Sequence, residues 1–142
     1  MLLDTNLFAF LFIRPSDASR RGYPVDEWRT VLTGHRVVIS FQTQAEILYG
    51  AVKDGWGAAR RQELERVFGA TPTVWVDDDV VRAEATLRDE SRKLGHPLNA
   101  PEHTADRWIG ACAVAKNLPL WSLDEKAFGD APLISRFEAR CE

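Results

Sequence analysis

Short apolar runs alternate with amphipathic stretches along this chain, and that alternation narrows the folds open to it. Leu2-Leu3, Val37-Val38-Ile39-Ser40, Thr73-Val74-Trp75-Val76 and Leu118-Pro119-Leu120-Trp121 read as short buried strands, and a fifth begins at Pro132-Leu133-Ile134. Between them, helical periodicity is expected over Leu7–Ile13, Pro24–Leu32, Gln42–Lys53, Ala58–Phe68, Asp78–Leu94 and Thr104–Lys116. Gly95 and Pro97 close the longest of these. Arg14–Gly22 and His96–His103 read as loops. Strands alternating with helices imply an α/β fold, with a mostly parallel sheet covered on both faces. Ligands in such sheets bind beyond the carboxyl ends of the strands, where the strand order switches.

The chain of 142 residues suits one domain over 1–142. No run approaches the roughly 20 apolar residues of a membrane helix, and no basic region precedes the apolar start, which argues against a secretory signal. Cys112 and Cys141 form no CxxC arrangement. Neither a disulfide framework nor a zinc knuckle is indicated, and a reducing cytoplasm fits. The formal charge is −3, from 18 basic and 21 acidic side chains. If metal takes up four of the acids, the balance is close to neutral and leaves an RNA partner open. Arginine outnumbers lysine 14 to 4, which reads as compositional bias rather than selection for phosphate binding.

Four acids fall where such a fold can gather them. Asp4 and Asp124 lie at or just past the carboxyl ends of expected strands, Glu46 follows the second strand, and Asp106 lies in the first turn of a late helix. Two like charges about 4 Å apart repel by about 4 kcal/mol at an effective dielectric of about 20. Clustered carboxylates therefore need a compensating cation, and a divalent metal brings phosphoryl chemistry with it. Gly50 and Gly110 each stand four residues after a helical acid and on the same helix face. Each leaves space that a substrate or a close-packed neighbour can use, at a cost of about 1 kcal/mol in helix stability.

Taken in order, these segments resemble the PIN-domain ribonucleases, and more narrowly the VapC-type toxins of type II toxin–antitoxin pairs. Leu3-Asp4-Thr5-Asn6 matches the family's opening Leu-Asp-Thr-Asn. Ser40, Thr43, Glu46, Ile47 and Gly50 match its second motif, with Ile for the usual Leu. Asp106, Ile109, Gly110, Ala111 and Ala113 match the third, with Gly for an Ala, and Leu120, Ser122 and Asp124 match the fourth, with Phe128 one residue late. The resemblance covers nearly the whole chain. It implies a three-layer α/β/α fold with sheet order 3-2-1-4-5, and a metal-dependent endoribonuclease. It also implies that Asp4, Glu46, Asp106 and Asp124 ligate one or two Mg²⁺ or Mn²⁺ ions, with Thr5, Asn6 and Ser122 fixing them from behind. Its partners would be an RNA substrate, a cognate antitoxin and a second copy of the chain in a homodimer. Three departures stand out. Only three residues precede Asp4, which leaves room for a start upstream of Met1. Gly110 is expected to loosen its helix. A further acid of the last loop falls to either Glu125 or Asp130.

Other readings compete with these. A haloacid-dehalogenase phosphatase also opens with Asp at a strand end, but it needs an acid two residues on, where this chain has Asn6. A non-toxin nuclease of RNA processing, or a degenerate PIN module that binds without cutting, keeps the same fold; the four intact acids argue against the latter. Asp77-Asp78-Asp79 precedes a long helix and reads as a cap. His96 and His103 read as surface loop residues. Arg14, Arg20 and Arg21 either meet RNA phosphates or form a solvated loop. Trp75 and Trp121 are expected in the core, Trp28 and Trp56 at an interface or against bases, and Cys112 as inert packing.

Overall fold

The computed structural model describes residues 1–139. The chain runs β1 (Leu2–Leu3), α1 (Thr5–Phe8) continuing as a π-helical turn over Ala9–Ile13, α2 (Pro15–Arg20), α3 (Val25–Leu32) and β2 (Ile39–Ser40). There follow α4 (Phe41–Lys53), α5 (Ala58–Gly69), β3 (Thr73–Val74), α6 (Asp78–Leu94), α7 (Thr104–Ala115), β4 (Leu120–Trp121) and α8 (Glu125–Phe128). Cys141 lies outside the described residues.

The strands pair in parallel, β1 with β4 and β2 with β3. Single bridges join Leu2 to Val38 and Leu120 to Arg136, so the two pairs lie side by side and the expected fifth strand is reduced to one rung. Successive strand residues point to opposite faces, and β1 and β4 show it. Leu3 and Trp121 join Phe8, Trp28, Ile39 and Phe68 on one side. Leu2 and Leu120 join Val80, Leu87, Ile109 and Phe128 on the other. Helices therefore cover both faces of the sheet, giving the three-layer α/β/α arrangement.

Several expectations are corrected. The segment read as the loop Arg14–Gly22 holds α2, whose Pro15 occupies the first turn, where its missing N–H costs nothing. Trp75 is 61% exposed because β3 ends one residue earlier, whereas Trp28 is buried edge-on against Trp121 at 6.5 Å. Helix α4 buries Thr43 and Ala51 and packs Ile47 against the core, a stripe of i, i+4 and i+8. The stripe of Ala45, Leu48 and Val52, which has an equally helical spacing, faces outward, with Val52 63% exposed. Gly110 does more than loosen its helix. A Cβ there would meet Ile134 Cδ1 at 2.8 Å and Leu87 Cδ2 at 3.1 Å, so the missing side chain lets α7 pack closely.

Helices α6 and α7 are tied by a buried ion pair that the sequence reading missed. Arg107 Nε lies 3.2 Å from Glu84 Oε1, and both side chains are under a tenth exposed. The same guanidinium donates to the carbonyls of Leu98 and Ala100 at 2.7 and 2.8 Å. It thereby pins the His96–His103 segment, which forms two 3₁₀ turns rather than an open loop.

Candidate metal centre

Asp4 leaves β1 and caps α1. Its Oδ1 accepts from the Thr5 amide at 2.8 Å and its Oδ2 from the Ser122 hydroxyl at 2.6 Å. The residue is 7% exposed. Burial pushes its carboxyl above the usual range, against the pull of those two donors, and the charges of Asp106 and Asp124 push it further the same way. Glu46 projects from α4, where Gln42 donates to it at 3.4 Å. Burial raises its carboxyl too, and Asp4 and Asp106 add to the rise. All four acids therefore sit in one mutual field.

Each remaining acid is held by its own element. Asp106 lies in the first turn of α7, and its Oδ2 is 2.9 Å from His103 Nδ1. Asp124 caps α8 by accepting from the Ala127 amide at 3.0 Å, and its own amide donates to Ser122 Oγ at 3.0 Å. Ser122 thus joins Asp4 and Asp124. The Thr5 hydroxyl shares a hydrogen bond with Thr43 at 2.9 Å and ties the start of α1 to α4. Asn6 is exposed and lines, with Thr5, Glu46 and Gly50, a cleft of about 200 Å³.

His103 is the residue the sequence reading placed wrongly. It is not a solvated loop histidine; its side chain is only 12% exposed and faces Asp106. The signal was available as His-x-x-Asp across a helix start. His96 is also engaged, with Nε2 2.7 Å from the Gly129 carbonyl oxygen. The other acids considered lie elsewhere. Asp77 caps α6 and pairs with Lys116 at 2.6 Å. Glu125 pairs with Arg136 at 2.8 Å and, with Asp130, borders a different surface depression. Cys112 is buried, and burial pushes its thiol up to about 12, which leaves no thiolate to act as a nucleophile.

Among the described residues, no three His, Cys, Asp or Glu side chains close into a ready-made metal cage. The residues nonetheless fit a hard divalent cation. The donors are carboxylate oxygens, and Asp4 and Glu46 are raised above the usual range by burial and then by the neighbouring carboxylates, a repulsion that a bound cation would relieve. Mg²⁺ retains several waters and needs only one or two carboxylates, so a closed protein cage is not required.

A helix-covered parallel sheet with acids gathered beyond its strand ends defines the class of fold. The PIN domain family model matches residues 1–132, and the chain belongs to the PIN domain family. Solved structures agree on the fold. VapBC2 from Rickettsia felis, bound to a DNA fragment from its promoter, superposes with a TM-score of 0.71 at 19% identity, covering 96% of each chain. FitAcB from Neisseria gonorrhoeae gives 0.69 at 22% identity, again covering 96% of each. VapBC-5 from Mycobacterium tuberculosis, a member of the VapBC family of toxin-antitoxin systems, gives 0.60 at 25% identity, covering 96% of this chain and 97% of that one. No curated protein matches the chain. Among the described residues no helix is long and apolar enough to cross a membrane.

Proposed function

We propose that this PIN domain is a divalent-metal-dependent endoribonuclease and the toxin of a toxin–antitoxin pair. The observation that carries the reading is the mutual field of Asp4, Glu46, Asp106 and Asp124, of which Glu46 lines the cleft. A bound Mg²⁺ or Mn²⁺ ion would supply the positive charge that activates water and stabilises charge on the phosphate oxygens. The chain's own part is positioning. Ser122 and the Thr5 amide fix both oxygens of Asp4, His103 fixes Asp106, and the α8 cap fixes Asp124. Asn6 offers an amide at the cleft to a substrate oxygen. Attack by water, without a protein nucleophile, predicts products ending in a 5′-phosphate and a 3′-hydroxyl.

Incubation of purified protein with RNA tests the reading. Cleavage is expected with Mg²⁺ or Mn²⁺ and none in excess EDTA; full activity in EDTA, or 2′,3′-cyclic phosphate ends, overturns it.

The toxin assignment draws on the solved relatives, one of which is described as belonging to a toxin-antitoxin system. A physical route to inhibition exists as well. An arginine from a small partner presents a rigid cationic fork that can pair with two of the four carboxylates and compete with metal for the same oxygens. Purification with the product of the neighbouring reading frame should yield a silent complex. A complex that leaves the four acids open to metal argues against this mode of inhibition. The homodimer is part of the same proposal, and light scattering that shows a monomer at roughly tens of micromolar removes it.

A further inference from the structure

The cleft that Glu46 lines continues beyond it. Ile13 and Arg14 at its far side also border a second, shallower concavity of about 420 Å³, which Arg20 and Arg60 line as well. Arg60 comes from α5, forty residues from Arg20 in sequence, so only the fold brings these guanidinium groups together. All three residues are exposed.

Their charge is poorly neutralised. Arg66, Arg88, Arg92, Arg107 and Arg136 each pair with a carboxylate within 3.2 Å. Among the described residues, Arg14 and Arg60 pair with none. Asp17, the acid in the concavity, is shared between Arg20 at 3.5 Å and Arg21 at 3.4 Å. Arg60 is nevertheless oriented, because its guanidinium carbon stacks over the Trp56 ring at 3.6 Å from the centroid. Trp56 in turn lines the catalytic cleft. The indole therefore sets a cation beside the cleft that Glu46 lines.

An acidic centre repels a polyanion, and the chain as a whole carries −3. Screening confines electrostatic help to about 8 Å at physiological salt, so only cations bordering the cleft can offset that repulsion. We propose that Arg14, Arg20 and Arg60 form a phosphate-binding track that holds a single RNA strand flanking the cleaved bond. The proposal rests on the nuclease reading for its substrate, and it goes beyond it by naming where the strand lies. Guanidinium forks bind phosphate oxygens two at a time. Because Arg60 already covers one face of Trp56, the track reads charge rather than bases, and base selection must come from elsewhere in the cleft.

Binding of a fluorescein-labelled single-stranded RNA in EDTA, measured across a salt series, tests the track without cleavage. Each phosphate contact to a single strand contributes about 0.7 to the slope of log affinity against log salt. The double variant Arg14→Gln/Arg60→Gln should lower the magnitude of that slope by about 1.4, and Arg14→Lys/Arg60→Lys should restore it. A control with the same charge loss at paired positions, Arg66→Gln/Arg92→Gln, should leave the slope at the wild-type value. An unchanged slope in the first variant, or an equal fall in the control, overturns the track; the latter would mean that net charge alone is at work. With Mg²⁺ present, the Arg14→Gln/Arg60→Gln variant should raise KM and leave kcat within about twofold, the pattern of lost uniform binding. A wild-type protein that binds RNA with the expected slope but never cleaves it would sink the nuclease reading and leave the track standing. One that cleaves normally while the slope ignores Arg14 and Arg60 would do the reverse.

Discussion

The Ser122 hydroxyl donates to Asp4 Oδ2 at 2.6 Å across 118 positions of sequence, and this contact joins the two ends of the central β1–β4 pair at the acids. Ser122 also accepts from the Asp124 amide. Removing it leaves a buried carboxylate short of a donor and frees the Asp124 turn. Ser122→Ala should cost about 1–3 kcal/mol of stability and weaken Mn²⁺ binding about 10–100-fold. Thermal melting with and without Mn²⁺ reads both effects. A variant that melts and binds metal like wild type would show that the hydroxyl is dispensable.

Asp4 and Glu46 carry a pH signature of the metal-free state. Both carboxyls are raised in the folded protein, burial being the first cause in each. A raised folded value means that the folded state holds the proton more tightly than the unfolded chain. The associated stability is fully present below the ordinary carboxylate value and is lost as pH rises through the raised one. Without metal, Asp4→Asn should therefore melt no lower than wild type at pH 7, and its advantage should shrink as pH falls toward about 4. Added Mn²⁺ should raise the melting temperature of wild type far more than that of the variant, and the variant should not cleave RNA. A metal-free Asp4→Asn protein that melts well below wild type at pH 7 would mark Asp4 as a structural acid.

Much of the placement of these candidate acids could be read from the chain because its signals are local. An acid after a short apolar run, or in the first turn of a helix, carries its position in the neighbouring residues; Asp4, Asp106 and Asp124 all do so. The fold class followed from the same alternation. What stayed hidden was set by packing at a distance. Thr43, Ile47 and Ala51 face the core only because α4 sits against β2 and α1, and helical period alone does not choose between that stripe and Ala45, Leu48 and Val52. Trp28 looked like a surface residue because its burial depends on Trp121, 93 positions away. The Glu84–Arg107 pair and the Arg14–Arg60 concavity likewise join residues that nothing in sequence links.

The two glycines that follow helical acids should respond oppositely to a side chain. Nothing lies within 4 Å of a Cβ built at Gly50, whereas Ile134 and Leu87 crowd the same position at Gly110. Gly50→Ala should stabilise the protein by about 1 kcal/mol through helix propensity, with a modest rise in KM because the methyl enters the cleft. Gly110→Leu should destabilise by about 1–3 kcal/mol through overpacking of α7. Denaturant midpoints check both. Equal effects at the two sites would mean that the packing contrast carries no energetic weight.

His103 contacts Asp106 and is itself held in place. Arg107 pins the turns before α7 through the Leu98 and Ala100 carbonyls, which brings His103 Nδ1 to 2.9 Å from Asp106 Oδ2. One proton is shared across the contact, and the ring tautomer sets which atom donates it. The histidine thereby orients the Asp106 carboxylate. His103→Ala should raise the Mn²⁺ concentration for half-maximal cleavage by about 10–100-fold, while the rate at saturating metal stays within a few-fold of wild type. His103→Asn keeps an N–H donor and should recover much of the loss. Melting without metal separates this role from plain packing. If His103→Ala lowers the metal-free melting temperature but leaves the Mn²⁺ requirement unchanged, the residue supports the turn and not the acid.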